Sequence, residues 1–147
     1  MGHSFGIKCN ECDYIKSFRM GIGMMYSPYA LSDFDSEFAL LPYLIRSKKT
    51  QQLVKNLIND KNGKFADGYE HSIYRCSKCG EFYGRFFFHI DHDDGSYEPL
   101  YKCTKCNKTL DLFELPEHGQ ADLSLYPCPR CGKNSLAEDY SSMLLWD

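Results

Sequence analysis

The chain has 147 residues, 43% hydrophobic, 25% charged and 15% aromatic, with a formal net charge of −3 and eight cysteines. Those ordinary fractions exclude wholesale disorder, and the length suits one domain or two small ones sharing a core. No apolar run approaches the ~20 residues of a membrane span, and the first residues show neither a secretory leader nor, with Gly6 where Ser or Thr is needed, a myristoylation signal, so a cytoplasmic protein is expected.

In chain order, strand-like residues from Phe5 to Lys8 lead into Cys9 and Cys12, and Tyr14 to Met20 leads out. Gly21-Ile22-Gly23 and Pro28 mark a loop. Phe34, Phe38, Leu41 and Ile45 then recur at helical spacing. Pro42 interrupts them, which predicts a short helix ending near Leu41 or a restart at Pro42. Ser47 can cap a second helix with Leu53, Val54, Leu57 and Ile58 as its buried stripe and Asn62-Gly63 at its end.

Tyr69 to Arg75 leads into Cys76 and Cys79. The clearest strand follows. Phe82, Phe86, Phe88 and Ile90 share one face at period two, and Arg85, Phe87, His89 and Asp91 share the other. Asp93-Asp94-Gly95 is a turn signal, and Tyr97 to Lys102 returns to Cys103 and Cys106, completing a hairpin. Thr109 to Leu115 and Asp122 to Tyr126 read as another hairpin, turning at Pro116 to Gly119, before Cys128 and Cys131. Leu136 to Trp146 is a last strand with a kink.

All eight cysteines fall in four C-x-x-C pairs, with none left over. Disulfide frameworks rarely use a single spacing, and a cytosolic chain keeps its thiols reduced. Two such knuckles supply the four thiolates of one tetrahedral metal site, so four knuckles make two sites. Zinc is the expected ion, and iron at the C-terminal site is the alternative, since tetrahedral thiolate suits both. The residue after each second cysteine is Asp13, Gly80, Asn107 or Gly132, all types that tolerate a left-handed backbone. Lys78, Lys105 and Arg130 precede the second cysteine, where a cation suits a centre of charge −2. Glu11 breaks that pattern.

Cys12 and Cys76 are separated by 63 residues, Cys79 and Cys103 by 23, and Cys106 and Cys128 by 21. Loop-closure entropy changes by only about 0.6 kcal/mol per doubling of length and does not decide the pairing. Sequential pairing is the expectation. It joins Cys9, Cys12, Cys76 and Cys79 in one site and Cys103, Cys106, Cys128 and Cys131 in the other. The rival arrangement nests the middle knuckles inside the outer ones. The expected fold is α+β, made of the small β-hairpins of two zinc ribbons with a helical insertion in the first. An N-terminal ribbon would span 1–102, with the insertion at about 30–62, and a C-terminal ribbon 103–147.

This arrangement resembles small bacterial proteins with two zinc ribbons. Their first knuckle is followed by a Gly-x-Gly-Met-x-Tyr segment, matched by Gly21 to Tyr26, and their chains end in Trp-Asp, matched by Trp146-Asp147. The resemblance implies a rubredoxin-like C-terminal ribbon and metal binding. It carries no activity with it.

Two ions, each held by four cysteines, have no open coordination position, which favours a non-enzymatic interaction protein over a metalloenzyme. Ten Phe, eleven Tyr and one Trp exceed what a small ribbon buries and suit a protein partner. Nucleic acid is the alternative partner, through Lys48 and Lys55 on the polar face of the second predicted helix. Net charge disfavours it, because eight thiolates and two divalent ions lower the total to about −7. Electron transfer through iron is the third reading. His89, Asp91, His92, Asp93 and Asp94 form a candidate further metal site, although His89 and Asp91 share a strand face that His92 does not. His3, His71 and His118 stand isolated.

Overall fold

A computed structural model describes every residue except Ser142. The chain is mixed α+β, mostly strands with few helices. It divides into two compact units built from interleaved segments. Unit 1 comprises Met1–Gly21, Ser72–Arg85 and Leu100–Trp146, and unit 2 comprises Ile22–His71, Phe86–Pro99 and Asp147. These segments differ from the expected division at 102/103. All eight cysteines belong to unit 1, so that cut would pass through the metal-binding region.

Unit 1 is organised around β1 (Gly2–Cys9). One edge of β1 pairs antiparallel with β2 (Ile15–Met20), from His3↔Met20 to Lys8↔Ile15. Along its other edge lie the two pieces of the predicted C-terminal strand, here β9 (Leu136–Asp139) and β10 (Leu145–Trp146). The kink between them begins at Asp139, whose buried carboxylate accepts from the Ser141 amide and hydroxyl. A second sheet has the order β5-β4-β8, with β4 at Glu70–Arg75, β5 at Phe82–Phe87 and β8 at Asp111–Phe113. Residues from Asp122 to Tyr126 do not pair with β8 as a hairpin. They form a short 3-10 turn at Leu123–Leu125, capped by the Asp122 carboxylate, and β8 pairs with β4 instead. Turning inward buries Leu123 against Ile7, Phe18, Ile73, Phe82 and Leu136.

Unit 2 carries the helical insertion. Of the two expectations, a helix ending near Leu41 is absent and the restart at Pro42 is found: α1 (Pro28–Ser32) is capped by Ser27, and α2 (Leu41–Leu44) begins with proline in its first turn. Between them the Asp33 carboxylate accepts from the Asp35 and Ser36 amides, and this local turn competes with helix. Leu31, Leu41 and Ile45 are buried, but Phe38 is 70% exposed, so the apolar spacing did not mark one helical face. α3 (Lys48–Asp60) forms as predicted, with the Ser47 hydroxyl accepting from the Thr50 amide. Past its end, Asn62 is left-handed with φ of 53°, and the Gly63 amide donates to the Leu57 carbonyl. Val54 is fully buried while Leu53 faces solvent.

Alternation in the phenylalanine-rich run is real, because Phe82, Phe86, Phe88 and Ile90 are all buried. The strand itself breaks after Phe87. It resumes as β6 (Ile90–His92), which turns tightly into β7 (Gly95–Tyr97) through His92↔Gly95. On its other edge β6 pairs with β3 (Lys64–Phe65). Phe86, Phe88 and Ile90 pack with Leu31, Leu41 and Val54 to make the core of unit 2.

Candidate metal centres

Two sets of four sulfurs converge in unit 1. Cys9, Cys12, Cys128 and Cys131 form one, and Cys76, Cys79, Cys103 and Cys106 form the other, with the ligand atoms of each set within 4.8 Å of one another. Sulfur separations are 3.7 Å for Cys9 to Cys131 and for Cys12 to Cys128. They are 3.6 Å for Cys76 to Cys106 and for Cys79 to Cys103. A disulfide would require about 2.05 Å. Four sulfurs at about 2.3 Å from a tetrahedral ion lie about 3.8 Å apart, so both sets match a closed four-thiolate shell.

This grouping overturns sequential pairing and selects the nested arrangement. The strands supply the reason. β1 enters the first knuckle and pairs with β9, which leaves the fourth, at Cys9↔Leu136. The Asn10 amide also donates to the Ser135 carbonyl. In the same way β4 enters the second knuckle and pairs with β8, which follows the third, at Arg75↔Asp111. Each centre is closed by a ladder between the strand before its first knuckle and the strand after its last.

Three knuckles share one backbone design. In each, the first cysteine's amide donates to the carbonyl five residues on, and the residue after the second cysteine donates back to the first. That residue is left-handed at Gly80 (76°), Asn107 (56°) and Gly132 (76°). Asp13 departs from the expected rule, being absent from the residues of positive φ. Its carboxylate accepts from Arg130 of the partner knuckle.

Charge also follows the pairing. Glu11 accepts from Lys133 at 3.0 Å, and Asp13 pairs with Arg130, so the acidic first knuckle faces the basic fourth. This accounts for Glu11, the exception to the cation pattern. Within the other centre, Glu81 accepts from Lys105 at 2.6 Å. The complementarity is visible in the sequence and was the missed signal for pairing.

Glu81 itself was not singled out. The residue is 4% exposed, and its carboxylate accepts from the Tyr14 hydroxyl at 2.7 Å, Lys16 at 2.9 Å, Lys105 and the Phe82 amide. Burial alone would raise its pKa, but the two ammonium groups and the phenol overcome that and hold it at about 2. Tyr14 lies two residues beyond Cys12 and Glu81 two beyond Cys79, so one buried carboxylate ties the two centres together.

Hydroxyl groups support individual sulfurs. Ser135 Oγ lies 3.1 Å from Cys9 Sγ and Tyr83 Oη 3.2 Å from Cys103 Sγ. Both donate once the sulfur is a thiolate. The Ser135 bond brings Cys9 down to about 6. At Cys103 burial opposes ionisation, yet Tyr83 and the knuckle amides still bring it to about 6. Cys106 is pushed up to about 12 by the neighbouring Cys79 sulfur and by burial. Four like charges this close do not all ionise without a cation between them. The donor set therefore fits a thiophilic divalent metal.

The remaining candidates do not converge on a site. Lys55 pairs with Asp35 at 3.3 Å and lies over the Phe34 ring, whereas Lys48 is exposed. His89 is held between Glu98 and Asp91, each at 3.0 Å. Asp94 pairs with Lys61, and Asp93 accepts from Asn62. Among the described residues, only the two cysteine sets group three or more potential metal ligands. His71 bonds the Tyr26 hydroxyl at 2.9 Å and packs on Phe86. No described helix is long and apolar enough to cross a membrane.

No protein-family model matches the chain, and no curated protein or solved structure matches it significantly. Its function is therefore read from the two centres and the surfaces around them.

Proposed function

We propose that this chain is a zinc-stabilised, non-enzymatic binding protein of the cytoplasm, whose two centres are zinc ribbons. Closure of both centres carries this reading. Four thiolates complete a tetrahedral shell and leave no position for water or substrate, the arrangement of structural rather than catalytic zinc. Filled centres would fold unit 1 by cross-linking four distant knuckles, and metal-binding energy would become folding energy. A reducing compartment keeps such thiolates available. A protein partner is favoured by large side chains that unit 2 leaves in solvent, including Tyr29 at 88%, Tyr43 at 81% and Phe38 at 70% exposure.

Metal analysis of the purified chain tests the proposal. Two zinc ions per chain are expected. Cys9→Ser with Cys131→Ser should remove one ion and spare the other, and Cys76→Ser with Cys103→Ser should do the reverse. A visible thiolate-to-iron absorption in protein expressed without added zinc would replace zinc by iron and favour electron transfer. Fewer than two ions in the unmodified chain would contradict the proposal.

A further inference from the structure

The two centres have similar ligands and unequal surroundings. Residues 8–16 and 127–136, which build the first, hold four cations and two acids. A filled four-thiolate centre of charge −2 brings that region to about zero. Its Lys133 and Arg130 are already engaged by Glu11 and Asp13. Residues 75–85 and 100–109, which build the second, hold six cations and one acid, the buried Glu81. With its filled centre this region keeps about +3. Lys78, Lys102 and Lys108 are exposed and have no ion-pair partner among the described residues.

These lysines are all placed beside the second centre by the chain. Lys78 and Lys102 each adjoin a ligand cysteine, and Lys108 follows Cys106 by two residues. At 3.8 Å between consecutive Cα atoms, all three backbones fall within roughly 10 Å of the sulfurs. That is about one Debye length at 0.1 M salt, so each charge is felt at the centre. Beside them the Arg85 guanidinium lies 5.1 Å from the Tyr83 ring and 6.0 Å from the Tyr101 ring. Both rings are half-buried, with Lys16 5.5 Å from the Tyr83 ring and Tyr74 edge-on to Tyr101 at 5.2 Å, so aromatic and cationic groups alternate beside the centre. Thr104 and Asn107 add exposed polar groups. Residues 22–71 and 86–99 carry six cations and ten acids, and the segments of unit 1 carry eleven cations and nine acids, about −2 once both centres are filled, so the positive charge is confined to the surroundings of the second centre.

We propose that the face of the second metal centre bearing Lys78, Lys102 and Lys108 binds the phosphate backbone of a single-stranded nucleic acid. Lysines neutralise phosphates in series, and the Tyr83, Arg85 and Tyr101 group offers a base a stacking surface. The inference goes beyond the protein partner suggested for unit 2. It rests on the centres being filled.

Fluorescence anisotropy of the metal-loaded full chain with a labelled 20-nucleotide single-stranded RNA tests it, together with metal content for each variant. Saturable binding is expected at 25 mM salt. Lys78→Glu, Lys102→Glu and Lys108→Glu combined should weaken it more than tenfold and lower the log–log salt slope by about 2, at about 0.7 per lost contact on a single strand. The charge-matched Arg46→Glu, Lys49→Glu and Lys64→Glu set should bind as the unmodified chain does. If the first triple variant loses metal, the Lys→Gln triple variant takes its place and should still weaken binding. Absence of binding at 25 mM salt by a chain holding two ions overturns the proposal, and metal content separates that failure from failure of the zinc reading. Loss confined to Lys48→Glu with Lys55→Glu would move the site to α3 and also overturn it. So would competition by polyglutamate equal to that by RNA, which would mark an acidic protein as the ligand.

Discussion

A single hydroxyl group lies within hydrogen-bonding distance of a sulfur in each centre. Groups that bond to metal ligands from outside the shell typically contribute 10–100-fold in affinity. Ser135→Ala should therefore weaken metal binding at the first centre by roughly tenfold and leave the second unchanged. Tyr83→Phe should do the opposite, and chelator competition on each variant reads both. His89 offers a separate residue-scale test, since Glu98 and then Asp91 hold its imidazolium and raise its pKa above 6.5. The stabilisation from that pair is fully present below the unfolded value near 6.5 and is lost as pH rises through the higher folded value. An NMR titration should place His89 above 6.5 and show it falling in Glu98→Gln. A midpoint at or below 6.5 in the unmodified chain would contradict the contact.

At the scale of elements, the knuckle turn and the links between knuckles matter most. A Cβ at Gly132 would meet nothing within 4 Å, so substitution there tests backbone strain alone. Gly132→Ala should cost about 1–2 kcal/mol, the penalty of a left-handed residue with a side chain, measured by chemical denaturation of the zinc-loaded chain. Glu81 acts between elements. Replacing it by Gln leaves Lys16 and Lys105 facing a neutral amide. The expected cost is about 2–3 kcal/mol, below the 3–5 of a fully buried pair because both lysines reach solvent. Both centres should lose affinity together, whereas a change at only one would show that Glu81 does not link them. Helix α3 was legible from Ser47, its apolar stripe and Asn62-Gly63 because each signal is local. The stretch from Leu31 to Leu41 misled because Asp33 closes its own turn, and side-chain competition of that kind is invisible to apolar spacing.

For the whole molecule, the distribution of cysteines predicts an uneven response to metal loss. Every ligand lies in unit 1, whereas the core of unit 2 is built from Leu31, Leu41, Val54, Phe86, Phe88 and Ile90. Chelation should abolish hydrogen-exchange protection along β1, β2 and β9 while α3 keeps measurable protection. Unchanged protection in β1 after both ions are stripped would show that metal is not what folds unit 1. The division into units escaped a reading by sequence position because both are assembled from separated segments. Contiguous boundaries such as 1–102 and 103–147 do not describe interleaved segments of one chain.

Spacing alone was sufficient to name all eight candidate ligands, since a C-x-x-C turn is a local geometry that brings two sulfurs within reach of one ion whatever the rest of the chain does. The same locality made the phenylalanine alternation and α3 readable. Which knuckles share an ion was a long-range matter. Loop length changes the closure entropy too little to choose, and the choice fell to the antiparallel ladders of β1 with β9 and β4 with β8. Ion pairs from Glu11 and Asp13 to Lys133 and Arg130 reinforce that result. The buried Glu81 carboxylate likewise owes its role to folding, because its partners at positions 14, 16 and 105 meet only once both ladders have closed.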